Sequence, residues 1–321
     1  MRIENLVYLI GGELKSSPCV SEIKGFSFDS NSIKRGELFF AKNKKDINQA
    51  VQNGAYAVLF EGWTQITDSE IAWIKVENIE IAALKLLRFF LIQKSIPIFK
   101  LSSVEYNIAK ELSNDKDILF IKKDFIKALI DFFKKDVKLI LISDTDSLKR
   151  LSLDYNTPKI SKKVNIIKTY IFETSFIYDN IFYERVYISP IFIEEFNRVL
   201  NLLEERFVEF NLKNIEKLDH FKPYFIDNRF SLKEFGKSDK VIIIENDYTL
   251  LEKERSFLES DAKWAKKIYI SDKKTKGFIF EKRFDKIKEI LYNEHFNFAL
   301  IAKKDLKLED LEIKKTYKSL F

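Results

Sequence analysis

Short apolar runs, separated by longer stretches with apolar residues at helical spacing, recur along the whole chain. They include Leu38-Phe39-Phe40-Ala41, Ile71-Ala72-Trp73-Ile74, Ile118-Leu119-Phe120-Ile121, Leu139-Ile140-Leu141-Ile142, Val241-Ile242-Ile243-Ile244 and Phe298-Ala299-Leu300-Ile301. Runs this short have the length of strands. With so little polar alternation they suit strands buried on both faces, which the intervening helices must cover. The expected fold class is therefore α/β, with parallel sheets and covering helices.

The stretch 26–60 states the pattern most fully. Phe26 and Phe28 alternate with polar residues, as in a half-buried strand. Asp29-Ser30-Asn31-Ser32 follows, four side chains that favour turns because they hydrogen-bond their own backbone. Arg35-Gly36 makes a tight reversal into the Leu38–Ala41 run. Ile47, Ala50 and Val51 lie at helical spacing, Gly54 is placed to end that helix, and 55–60 is the next strand.

This stretch resembles the N-terminal domain of the Mur ligases, ATP-dependent enzymes that add amino acids to UDP-N-acetylmuramic acid. The likeness is to the branch that adds the third residue or D-Ala-D-Ala. It is carried by Asp29-Ser30, Gly36-Glu37-Leu38-Phe39-Phe40-Ala41 and Asn53-Gly54-Ala55. It implies a Mur-ligase-like N-terminal α/β domain over 1–94 and a reduced central, ATPase-like parallel-sheet domain over 95–222. A small C-terminal α/β domain over 223–321 would follow. In the family, the Ser of the first motif helps hold the UDP part of the substrate.

The chain departs from the family where the chemistry sits. A strand at 96–101 and a helix at 104–112 should be joined by a glycine-rich phosphate loop. Glycines there let consecutive N–H groups wrap the phosphates, while Lys and Ser/Thr serve phosphate and Mg²⁺. The sequence is instead Lys100-Leu101-Ser102-Ser103-Val104-Glu105-Tyr106, and no glycine occurs between Gly62 and Gly236. Neither ATP nor Mg²⁺ is expected as a cofactor, and the chain reads as a shortened, degenerate relative. Ile191-Phe192 stands where many members carry His-Asn. Glu245-Asn246-Asp247-Tyr248 keeps an Asp-Tyr pair but continues as Thr249-Leu250-Leu251.

Further along, strands are expected at 118–121 and 139–142 with a helix at 125–133 between them. A hairpin over 169–188 should turn at Asp179-Asn180, since both residues tolerate φ > 0. Pro190 can open a helix whose apolar face is Phe192, Phe196, Val199, Leu200 and Leu203. A second helical piece is expected over 211–221. The last unit should contain a strand at 241–245, an amphipathic helix over 250–266 with Phe257 and Trp264 in the core, a strand at 267–270, a helix at 284–292 and a strand at 298–301. The charged tail from Lys303 onward should end on the surface.

Composition narrows the classes. The net charge of +6 arises from 55 basic and 49 acidic residues spread along the chain. That is a mixed solvated surface and not a nucleic-acid patch, which needs clustering. The single Cys19 excludes an internal disulfide and has neither a CxxC companion nor a nearby His. The most apolar helical run, 79–92, carries Glu80, Lys85 and Arg88 and is too short to span a bilayer. No signal-peptide core opens the sequence, so the expected location is cytoplasmic.

Candidate residues are few, and none is expected to be catalytic or to bind metal. Asp29, Ser30, Asn31 and Lys34 form the candidate ligand-binding loop. Asn31 stands where the family has Arg, a fixed-charge phosphate partner, and turn chemistry alone also accounts for these residues. His220, Asp247 and Tyr248 fall at an expected domain junction. An isolated His supports neither a zinc site nor a triad. Asp144 and Asp146 read as turn formers. Glu245, Asp247, Glu252 and Glu254 could suggest Mg²⁺, but two of them sit where acids suit a helix start.

The function implied is a non-catalytic role in cytoplasmic peptidoglycan synthesis. The partner would be a Mur enzyme, a cell-shape scaffold or a UDP-muramyl precursor. One alternative is an enzyme of a different reaction on a UDP-sugar or muramyl peptide. The other is a divergent ATP-dependent ligase.

Overall fold

The apolar runs do become strands, and most of them pair in parallel. The computed structural model describes residues 1–113, 116–152, 154–215, 218–304 and 306. They fall into two units. The first comprises Met1–Ser102, Ser113–Lys159 and Leu202–Phe210, and the second Ser103–Leu112, Ile160–Asn201 and the chain from Asn211.

In chain order the elements begin α1 (Ile3–Ile10), β1 (Glu13–Leu14), β2 (Gly25–Ser27), β3 (Glu37–Phe40), α2 (Ile47–Gln52), β4 (Ala57–Glu61), β5 (Ala72–Val76) and α3 (Ile79–Lys94). The sheet order is β1-β5-β4-β3-β2, parallel except for β1 at one edge. Its two faces sort the side chains with period two. Leu38 and Phe40, Ala57 and Leu59, and Ala72 and Ile74 join one core with α1 and α3. Phe39, Val58, Phe60 and Trp73 join a second with Ile47 and Ala50 of α2. Gly54 follows α2 at φ +100°, a conformation that spares a glycine the Cβ clash.

Next come β6 (Ile98–Lys100), α4 (Ser103–Leu112), β7 (Ile118–Ile121), α5 (Phe125–Lys134), β8 (Leu139–Ile142) and α6 (Thr145–Leu151). The strands form a parallel sheet of order β6-β8-β7. Leu119, Ile121, Ile140 and Ile142 enter the same core as α3 and α5, so one apolar layer serves both sheets of the first unit. Asp124 and Asp144 cap α5 and α6 by accepting from Lys127 N–H and Ser147 N–H, each at 2.8 Å. Asp144 is thus a helix cap.

The second unit holds the antiparallel sheet β11-β10-β9, made of β9 (Asn165–Thr169), β10 (Thr174–Tyr178) and β11 (Ile181–Val186). Its hairpin turns at Asp179 (φ 50°) and Asn180 (φ 62°), as the sequence requires. After α7 (Ile193–Glu205) come β12 (Lys222–Ile226), β13 (Lys240–Glu245), α8 (Leu251–Asp261), β14 (Lys267–Ser271), β15 (Ile279–Phe280), α9 (Phe284–Asn293) and β16 (Phe298–Ala302). The sheet order is β12-β13-β16-β14-β15, parallel except for β12. Ile242, Ile244, Ile268, Ile270, Ala299 and Ile301 pack on Ile287 and Leu291 of α9. By alternation Val241, Ile243 and Glu245 take the opposite face.

Three expectations change. The 211–221 segment makes only a 3₁₀ turn at Leu212–Asn214, capped by Asn211, and Phe221 leads straight into β12. Residues 216 and 217 of that segment lie outside the described residues. The α8 helix stops at Asp261, which leaves Trp264 outside it and 70% exposed, not in the core. Leu6, Ile10 and Leu14 have the spacing of one face of an opening helix, but Gly11 ends α1 in a left-handed cap and Leu14, exposed, belongs to β1. The tail beyond 306 lies outside the described residues. Among the described residues no helix is long and apolar enough to cross a membrane.

The contrast between two tryptophans tests this packing. Trp73 is fully buried and donates Nε1–H to Asp68 O at 2.7 Å. Trp73→Ala should cost about 3–5 kcal/mol in urea denaturation. Trp264→Ala should change stability by no more than about 0.5 kcal/mol.

Candidate functional site

The loop at the carboxyl end of β2 is held largely by its own unit. Asp29 Oδ1 accepts Asn31 N–H at 3.0 Å, and Ser27 Oγ accepts Asp29 N–H at 3.2 Å. The buried Ser30 hydroxyl donates to Gln49 Oε1 at 3.1 Å. Gln49 in turn donates to Asn31 Oδ1 at 2.7 Å, and Asn53 donates to Ser30 O at 2.7 Å. Ser30 and Asn31 are therefore tied back to α2, while Asp29 and Lys34 reach solvent. The Asn31 N–H, with the Ser32 hydroxyl, holds the Asp29 carboxyl below its usual range.

The junction between β6 and α4 contains only Leu101 and Ser102. Leu101 is buried, and its N–H donates to Ile142 O at 2.9 Å, extending the β6–β8 ladder.

A dense polar cluster lies at the carboxyl end of β13 in the second unit, where α/β sheets commonly place ligands. Glu245, the last residue of that strand, is fully buried. Its Oε2 accepts Phe221 N–H at 2.9 Å. Its Oε1 accepts Asn246 N–H at 2.8 Å and Asp247 N–H at 2.6 Å, and lies 2.9 Å from His220 Nδ1. Because β12 runs antiparallel to β13, the residues preceding β12 arrive beside the end of β13, and this delivers His220. Phe221 sits at φ 49°, a left-handed conformation that costs a bulky residue roughly 1–3 kcal/mol. Asp247 accepts from the Ser103 hydroxyl at 2.6 Å and from Thr249 N–H at 3.0 Å. The structure thus brings His220 and Asp247 onto one carboxylate centre. Tyr248 turns away and donates its hydroxyl to Asp272 on the loop after β14.

The proton inventory follows from burial. Burial pushes the Glu245 carboxyl up, but hydrogen bonds from His220 and Glu254, with the imidazolium charge, bring it below its usual range. Glu254 of α8 is fully buried and neither of its oxygens receives a hydrogen bond among the described residues. Burial, followed by the charge of Glu245, drives its pKa well above the ordinary value. The reading that satisfies both groups is a protonated Glu254 donating to an ionised Glu245, since two adjacent carboxylates do not both ionise readily in a dry site. Burial alone would lower the His220 pKa. The Glu245 hydrogen bond and charge, with Asp247 and Asp219 beyond, raise it above 6.5.

His220 also lines a cavity of about 220 Å³. Phe172, Tyr187, Phe192, Phe221 and Phe235 make its aromatic walls, and Ser189 and Lys222 add polar groups. Adjacent rings are in contact: Tyr187 and Phe235 meet edge-on with centroids 4.8 Å apart, and Phe172 and Phe221, tilted, lie at 5.4 Å.

On sequence, Glu245 and Glu254 stand as possible Mg²⁺ ligands, with neither paired to His220. The signal that could have paired them is a Glu closing an otherwise apolar strand, a position that demands partners. Glu252, by contrast, points to solvent and pairs with Arg255 at 2.9 Å. Among the described residues no three His, Cys, Asp or Glu side chains are grouped to hold a metal ion.

A scan of protein-family models gives no match for this sequence, and neither does a search of curated proteins. Solved structures do match. A crystal structure of MurF from Acinetobacter baumannii superposes with a TM-score of 0.53 at 10% identity, over 97% of this chain and 97% of that one. MurF ligase from Thermotoga maritima, in complex with ADP, gives 0.47 at 13% identity, over 90% of this chain and 96% of that one. The first of these carries the conclusion that the fold is Mur-ligase-like.

The shared proton predicts a pH signature. A folded pKa raised above the unfolded one stabilises fully below the unfolded value and is lost as pH rises through the folded value. Glu254 and His220 both have this sign, so their contribution should decline as pH rises through the range above their ordinary values of 4.5 and 6.5. Glu254→Gln supplies a permanent donor and should flatten that decline in urea midpoints measured across this range. An unchanged slope would rule out the shared proton. Glu245→Ala, which strands His220 and three N–H groups, should cost about 3–5 kcal/mol.

Proposed function

We propose that this chain is a Mur-ligase-like protein of peptidoglycan synthesis that binds a component of the pathway and does not ligate. Its ligand or partner is a UDP-muramyl precursor, a Mur enzyme or a cell-shape protein. The supporting observation is the two-residue link between β6 and α4, the position where the resemblance puts the phosphate loop. Leu101 is buried and its N–H is spent on Ile142 O. Without glycine, the link has no run of free N–H groups to wrap a triphosphate. These residues do not suit ATP. In this reading the exposed Asp29 and Lys34 meet the ligand, while Ser30 and Asn31 shape the loop from beneath.

A second reading, an enzyme of a different reaction, is favoured by the His220–Glu245 pair beside a pocket. A carboxylate on Nδ1 is how a general-base histidine is oriented. A divergent ATP-dependent ligase ranks third.

Calorimetry distinguishes them. The protein should bind UDP-N-acetylmuramyl peptides and give no heat with Mg-ATP. ATP hydrolysis dependent on a muramyl substrate would overturn the binding reading. Binding of neither ligand would point to a protein partner, which crosslinking against Mur enzymes should then capture.

A further inference from the structure

The pocket beside His220 is lined by residues of the second unit, whereas Asp29 and Lys34 belong to the first. We propose that this pocket is a binding site for a small carboxylate with a ring-sized apolar body, held by His220 Nε2 at one end and by the aromatic walls at the other.

Size limits the ligand. A cavity of about 220 Å³ is below the roughly 300–1,000 Å³ typical of drug-sized ligands, so a nucleotide sugar is too large and a single-ring acid fits. Its walls are five aromatic rings with Leu218 and Pro223, which favour an apolar body. The polar side chains on the lining are those of Tyr187, Ser189, His220 and Lys222. The Ser189 hydroxyl already donates to Ile171 O at 2.7 Å, so it offers only lone pairs. His220 and Lys222 remain as the cationic donors on the lining.

The orientation of His220 decides the sign of the ligand. Nδ1 is committed to Glu245 at 2.9 Å and must carry hydrogen there, because an ionised carboxylate only accepts. The ring is then either a neutral Nδ1–H tautomer or an imidazolium with Nε2–H free to donate. The surrounding acids favour the imidazolium, and no Asp or Glu is among the described residues that line the cavity. Glu245 is bonded to three backbone N–H groups, and Asp247 to Ser103 and Thr249. The lining therefore offers positive donors to a carboxylate. A cationic ligand, though welcome over aromatic faces, would meet a like charge at His220.

The test uses the full chain and three probes of one shape: phenylacetate, phenylacetamide and 2-phenylethylamine. By calorimetry at pH 6, phenylacetate should bind at least tenfold more tightly than either of the others. His220→Gln should lower phenylacetate affinity at least tenfold and leave the amide unchanged. A second readout holds even if that variant fails to fold. In wild-type protein the His220 ring protons, told apart from those of His295 by His295→Gln, should titrate at higher pH when phenylacetate is saturating. Phenylacetate affinity should fall as pH rises through that midpoint, and the amide's should not. Equal binding of the three probes, a preference for the amine, no saturable binding of phenylacetate, or an unmoved His220 titration would each overturn the proposal.

Discussion

A parallel strand covered on both faces has no side where a polar residue can reach water, so its chemistry is confined to its ends. That constraint organises this protein. Within β3, β4 and β13 the alternating faces carry Leu38 and Phe39, Val58 and Leu59, Ile243 and Ile244, all buried. Polar side chains collect where the strands stop: Asp29 and Ser30 just past β2, Asp144 past β8, and Glu245 at the last position of β13. Glu245 shows what the constraint demands. A carboxylate with no exposed surface survives there because three backbone N–H groups and an imidazole converge on it.

That convergence explains features that would otherwise look like defects. Phe221 is held at φ 49° although it is large and buried, because that turn aims its N–H at Glu245 while its neighbour His220 reaches the same carboxylate. Glu254 lies on α8 with no donor of its own, so it keeps a proton and becomes a donor itself. Local strain and an anomalous proton are the consequences of one buried charge.

The sequence made the fold legible where period and turn chemistry act over short range. β7 at 118–121, β8 at 139–142 and the Asp179-Asn180 reversal lie where spacing puts them. It misled where tertiary contacts override local preference. Leu212 to Phe221 has helical spacing, but Phe221 N–H is claimed by Glu245, so the chain enters β12 instead. Trp264 continues the apolar spacing of α8, yet the helix has already ended at Asp261. The candidate site was harder still. Asp29 and Ser30 stand out because they match the motif of the resemblance, although turn chemistry alone also accounts for them. The pairing of His220 with Glu245 spans two strands that meet only through the antiparallel register of β12 and β13, which no periodicity records.

The three strand-end regions differ in what they leave for a ligand. At β2 the Ser30 hydroxyl and carbonyl and the Asn31 Oδ1 are bonded to Gln49 and Asn53. At β6 the Leu101 N–H is consumed by the ladder to β8. At β13 the carboxylate is satisfied from behind, and the ring that satisfies it faces a cavity with aromatic walls. A hydrogen-bond donor fixed in place by a buried partner costs little further order when it binds, whereas a surface loop must be immobilised first. Pre-organisation therefore distinguishes the carboxyl end of β13 in the second unit from the exposed Asp29 and Lys34 of the first.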